Sequence, residues 1–191
     1  MSFNMMSKDT VIDDIEFLSD VFNFKFSITD DVTEGAVAEY VKHKFLGMER
    51  DFISIRPNCC NDYDRMVAVF LHEFGHLLDI NLHGNAETQT QEIIASYVSV
   101  FLSTVLTNSI SVEAIRVLAS TIYTHGYVRD NEIEYQTKAF NCIDVFWNVM
   151  IGSNNVDFDE FHTVIESYRD IIKEIMLNFN GDIDEAVRCL A

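Results

Sequence analysis

Residues 67–80, VAVFLHEFGHLLDI, limit what this chain can fold into more than any other stretch. Val67, Val69, Phe70, Leu71, Phe74, Leu77, Leu78 and Ile80 leave almost no polar face, so the segment reads as the middle of a buried helix. His72, Glu73 and His76 sit inside it. Two imidazoles and a carboxylate buried without partners are costly, and something must offset that cost.

H-E-x-x-H on a helix is a zinc pattern with a mechanical basis. Residues i and i+4 lie one turn apart on one face, so His72 and His76 can aim nitrogens at a single ion. Glu73 is turned about 100° from His72. It can therefore serve as general base toward the open coordination position instead of binding the ion itself. Gly75 costs about 1 kcal/mol of helix propensity. Its missing side chain is expected to let another segment approach.

A catalytic zinc site needs a third protein ligand. The metzincin spacing fails, because Asp79 and Leu82 stand where glycine and histidine would be required. Glu92 is the expected ligand. It is the only charged residue in the apolar segment 89–107, just past a turn that can fold this helix onto the first. Ala95 and Ser96 are small residues on its face and would allow close packing. Glu87, His83 and Asp79 remain as alternatives.

The rest of the chain gives these helices a setting. Helical spacing appears at 9–22, with Asp9 as cap, and at 33–45, with Thr33 as cap. Strand patterns appear at 24–28 and 51–57, the second ended by Pro57. A loop over 58–63 leads into the motif helix at about 64–80, and the turn 81–89 contains Gly84. Helices are expected at about 89–107, 111–127, 131–150, 157–178 and 182–190. The expected class is α+β: a small sheet beside the motif helix, then a helical C-terminal half. No repeat or linker appears, so residues 1–191 read as one domain, with a core at about 24–107 and a helical part at about 108–191.

Leu71-His72-Glu73-Phe74-Gly75-His76 followed by Glu92, Ala95 and Leu102 resembles the gluzincin metallopeptidases. Among these it is most similar to the ImmA/IrrE family. The similarity covers about residues 50–106, including the strand 51–55 and the lead-in containing Arg65. Val98 and Ser99 depart from the family's usual residues, no proline follows the second helix, and no helix-turn-helix is visible. The resemblance implies a zincin-like core, a Zn2+ cofactor held by His72, His76 and Glu92, and proteolysis of regulators, often DNA-binding repressors, with links to phages and mobile elements.

The net charge of −18, from 31 acidic and 13 basic residues, disfavours direct binding to nucleic acid or anionic lipid; it suits a basic protein partner, though simply keeping the chain in solution is the plainer reading. Cys59, Cys60, Cys142 and Cys189 show no paired spacing, which fits a reduced, cytoplasmic setting. The first residues carry no basic segment followed by an apolar one, so no signal peptide is expected. The uncharged stretch 93–112 is too short in its apolar part and too rich in Ser and Thr for a membrane span; a buried core helix is expected.

Asp79 shares the face of His72 and His76, where it could steady a ligand imidazole or be a solvated helix-end acid. His125, between Tyr123 and Tyr127, could reach an oxyanion, though a turn histidine without a role is the plainer reading. His43 and His162 read as surface residues, Trp147 as core, and 154–161 as a helix cap. The expected activity is zinc-dependent endopeptidase, with the substrate strand added along the 51–57 strand. Two alternatives stand: an acidic protein imitating DNA to inhibit a nucleic-acid enzyme, and a zincin fold that keeps its metal without catalysis.

Overall fold

The structure, a computed structural model, describes residues 5–152 except 46, 108 and 127, together with residue 163. Among these lie five helices and three strands, a mixed α+β arrangement. The helices expected at 157–178 and 182–190, the segment 154–161, His162, Cys189 and Tyr127 fall outside the described residues.

Helix α1 (Val11–Phe22) buries Val11, Ile15 and Leu18, one residue per turn. It starts after Thr10 without a side-chain cap, not at Asp9 as expected. The Thr10 hydroxyl donates instead to Asp14, at 2.6 Å. Strands β1 (Phe24–Ile28), β2 (Ala38–Phe45) and β3 (Met48–Ile55) form one sheet in the order β1-β3-β2. β1 runs parallel to β3 with Phe24 opposite Asp51, and β2 runs antiparallel to β3 from Ala38–Ile55 to Phe45–Met48.

Two expectations are corrected here. Residues 33–45 are not a helix. Gly35 has φ +87°, outside any right-handed helix, and residues 38–45 each find a partner on β3. Tyr40 and Val41 suit a pleated surface. Thr33 caps nothing; its N–H and hydroxyl donate to the Glu39 carboxylate at 3.1 and 2.6 Å. The second strand also starts earlier, at Met48, and ends before Pro57, which opens a short 3-10 helix, Pro57–Asn61, where a loop was expected. It is moreover the central strand, so it cannot present a free edge to a substrate.

Helix α2 (Tyr63–His83) carries the motif. The Asp62 carboxylate caps it by accepting from Arg65 N–H at 3.2 Å, and Gly84, at φ +76°, lets the chain turn back. Helix α3 (Thr88–Thr107) returns antiparallel along it, with every residue from Ile93 to Leu106 buried. The hydroxyls that made this segment look polar are satisfied inside the core. Thr104 and Thr107 donate to carbonyls one turn back, at 2.8 and 2.7 Å, and Ser99 donates to the Ala68 carbonyl of α2 at 2.7 Å. No helix among the described residues is long and apolar enough to cross a membrane.

Phe74, fully buried, packs against the sheet side of α2 and joins four rings: Phe22, Phe24, Phe70 and Phe146, at centroid distances of 5.0 to 5.9 Å. Helices α4 (Val112–His125) and α5 (Glu132–Gly152) complete the packing around α3. Trp147, 7 % exposed, is a core residue, as expected.

Candidate metal centre and its cleft

The close approach of α2 and α3 makes the site. A Cβ built on Gly75 would stand 2.8 Å from the Ala95 carbonyl oxygen and 2.9 Å from its Cα. Only glycine allows this contact, as its position beside His76 implied. The same contact sets Glu92, one turn before Ala95 on α3, against the histidines of α2.

His72 Nε2 lies 3.2 Å from Glu92 Oε2, and His76 Nε2 lies 3.4 Å from Glu92 Oε1. The three side chains bring one ligand atom each within 4.8 Å of one another, and all three could hold a metal ion. Tetrahedral zinc with bonds of about 2.0–2.2 Å spaces its ligand atoms roughly 3.4 Å apart, so the donors stand at a suitable separation. Glu87, the alternative, is exposed on the turn before α3 and takes no part. His83 and Asp79 pair with each other, at 2.8 Å, outside this cluster.

The ring of His72 is held from behind. Its Nδ1 lies 3.1 Å from Ser96 Oγ, which donates onward to Thr121 Oγ1 of α4 at 2.9 Å. Because the serine proton goes to Thr121, Ser96 accepts from Nδ1–H. The unprotonated nitrogen of the neutral ring is then Nε2, the atom facing Glu92. Two lone pairs facing each other at this distance repel unless a proton or a cation lies between them. That is the donor chemistry of a metal ligand fixed by a hydrogen bond on its far nitrogen. In the sequence Ser96 reads as a small packing residue, and no sequence signal points to Thr121.

The charges are strongly coupled. Burial pushes the Glu73 carboxyl above its usual range, and Glu92 adds to the rise; His72, His76 and a backbone hydrogen bond from Tyr40 work against it. Burial raises Glu92 as well, but in the absence of a cation hydrogen bonds and charge from His72 and His76 in their protonated forms outweigh that and hold it well below the usual carboxylate range. Burial disfavours a charged His76, yet the Glu92, Glu73 and Asp79 carboxylates raise it overall.

A cleft of about 920 Å3 opens over these groups between β2 and helices α2, α3 and α4, reaching His72, Glu73, His76 and Glu92. Arg56 N–H donates to the Val37 carbonyl, so strand alternation turns the N–H and C=O of Ala38, Tyr40 and Lys42 away from β3. The Tyr40 N–H meets Glu73. Among the described residues β2 is thus the free edge at the cleft, in place of the strand expected from the sequence.

Three other expectations resolve here. Asp79 is neither solvated nor turned to a motif imidazole: it is 1 % exposed and its Oδ1 pairs with His83. His125 is exposed at the end of α4, away from the cleft lining, and its carbonyl accepts from Gln89. His43 stays at the surface, edge-on to Phe52. Compared with models of protein families, with curated proteins and with solved structures, the chain shows no significant match to any.

Proposed function

We propose that this protein is a zinc-dependent endopeptidase of the gluzincin type with a zincin-like core, in keeping with its resemblance to the ImmA/IrrE family. One observation carries the reading. Glu92 comes from a second helix to within 3.2 and 3.4 Å of the two motif histidines, while Glu73 stands beside them, bonded to the backbone of a free strand edge.

In this reading His72, His76 and Glu92 hold zinc. A zinc ion there supplies Lewis acidity, polarising a carbonyl and bringing the pKa of water in contact with it to about 7. Glu73 does the proton work. Its raised proton affinity suits a group that accepts a proton from attacking water and passes it to the leaving amine. The outward groups of Ala38 and Lys42, with the Tyr40 carbonyl, receive an extended peptide as an added strand. The net charge of −18 favours a basic protein as substrate, such as a regulatory or DNA-binding protein.

The test uses untagged full-length protein. Elemental analysis should give zinc bound through the motif, with the bound metal falling by one equivalent in the double variant His72→Ala/His76→Ala. The zinc form should release new termini from a proteome-derived peptide library, read by mass spectrometry. Glu73→Gln should keep the zinc and lose cleavage by a factor of about 10² or more. No zinc after reconstitution would leave the acidic binding protein as the better reading. Zinc retained with no cleavage of the library or of basic protein substrates would leave a non-catalytic zinc protein.

A further inference from the structure

A second cluster of donors lies farther along α2. Asp79 and His83 are one turn apart on its last stretch, and Cys142 reaches them from α5. A carboxylate oxygen, an imidazole nitrogen and the Cys142 sulfur all lie within 4.8 Å of one another. Asp79 is 1 % exposed and Cys142 is fully buried, while the His83 side chain is 20 % exposed and opens the cluster to solvent.

The carboxylate is only half satisfied. Asp79 Oδ1 pairs with His83 Nδ1 at 2.8 Å, but Oδ2 is buried and meets no hydrogen-bond partner among the described residues. A buried carboxylate oxygen without a donor gives up its hydration for nothing in return, and native chains seldom keep one without a use. Packing alone does not call for it: asparagine or leucine would fill similar space in this apolar setting.

We infer that Asp79, His83 and Cys142 form a second metal site, built for a borderline-soft divalent ion such as zinc, with its fourth position open to solvent beside His83. The donor set of carboxylate, imidazole and thiol fits zinc and fits calcium or magnesium poorly. Without a cation, burial and the nearby Asp79 push the Cys142 thiol up to about 12, so it is neutral at physiological pH. Metal binding would release that proton to solvent and leave the thiolate on the ion. The ion would fasten the end of α2 to α5. This site shares no ligand with the His72–His76–Glu92 cluster and does not depend on peptidase activity.

Cobalt(II) distinguishes the two sites, because the first offers no thiolate. Untagged full-length protein is stripped with a chelator and titrated with cobalt. Two equivalents should bind, with a thiolate-to-cobalt charge-transfer absorption in the near ultraviolet. Glu92→Ala should keep the charge-transfer band, whereas Cys142→Ser should lose it along with one equivalent of metal. As a measurement that leaves the second cluster unaltered, alkylation of Cys142 in Glu92→Ala protein is followed by peptide mass spectrometry. Zinc at ten times its dissociation constant should slow the modification about tenfold. No charge-transfer band in the unaltered protein, a band surviving Cys142→Ser, or an alkylation rate indifferent to zinc would each overturn the inference.

Discussion

Replacing Gly75 with alanine tests whether the approach of α2 to α3 builds the site. The new methyl would meet Ala95 O at 2.8 Å and Ala95 Cα at 2.9 Å. Both are backbone atoms, which cannot rotate away. Reaching an ordinary 3.4 Å contact requires α3 to retreat by about 0.6 Å. Alanine should gain about 1 kcal/mol of helix propensity. Overpacking a well-filled interface costs typically 1–3 kcal/mol, and a rigid backbone on the far side puts this case at the upper end. The net expectation is a loss of about 1–2 kcal/mol, or roughly 2–8 °C in melting temperature for a chain of this size. The shift also acts on the site, since Glu92 and Ser96 flank Ala95 and move with it. Catalytic constellations tolerate about 0.5 Å, so zinc affinity should fall with stability. Differential scanning calorimetry and competition with a zinc chelator measure the two effects. Gly152→Ala is the control, because among the described residues nothing lies within 4 Å of its added methyl; it should leave zinc binding unchanged. If Gly75→Ala melted at or above the unaltered protein and bound zinc as tightly, the interface would not set the ligand geometry.

Three further outcomes are expected. Glu92→Ala should lose zinc affinity, stability and cleavage together, while exposed Glu87→Ala keeps all three; the reverse pattern in metal and activity assays would reassign the third ligand. Ser96→Ala should weaken zinc binding about 10–100-fold, since His72 loses the partner that fixes its tautomer; chelator competition reads this directly, and unchanged affinity would remove Ser96 from the site. The raised pKa of His76 means that its stabilising share in metal-free protein is full below about 6.5 and is lost as pH rises through the folded value. Zinc competes with that same proton, so the gain in melting temperature on adding zinc should grow from pH 5.5 to pH 8; a gain that shrank would refute the sign.

Both long helices of the site could be read in the sequence because their evidence is local. An apolar stripe interrupted by His72, Glu73 and His76 specifies one helix, and a lone Glu92 in an apolar run specifies the other. Gly75 announced the close approach by its cost. The strand at 38–45 could not be read in this way. Val37, Tyr40, Val41 and Phe45 also satisfy a helical spacing, and what decides the matter is pairing with β3 across the chain. Strand order has the same origin, so the sequence pattern of 51–57 could not reveal a central position. Thr121 stands 25 residues from Ser96, and their hydrogen bond leaves no trace in either segment. The Asp79–His83 pair did have a signal, its i, i+4 spacing, but Cys142 joins it only through the packing of α5.

The hydrogen bond from Tyr40 N–H to Glu73 carries a consequence for substrate register. A peptide laid along β2 would find backbone donors at Ala38 and Lys42, but the donor between them is already engaged by the base. One carbonyl of the incoming strand would therefore go unmatched, and it would be the one beside Glu73. A slip by one residue would turn every side chain of the peptide to the opposite face, and a slip by two would offer the gap a different carbonyl. Side-chain fit along the cleft would then choose among registers two residues apart, while in the proposed peptidase the gap in the ladder would mark where on the strand a bond is cut. Selection of the peptide and selection of the bond would reside in different parts of one edge, open to separate alteration.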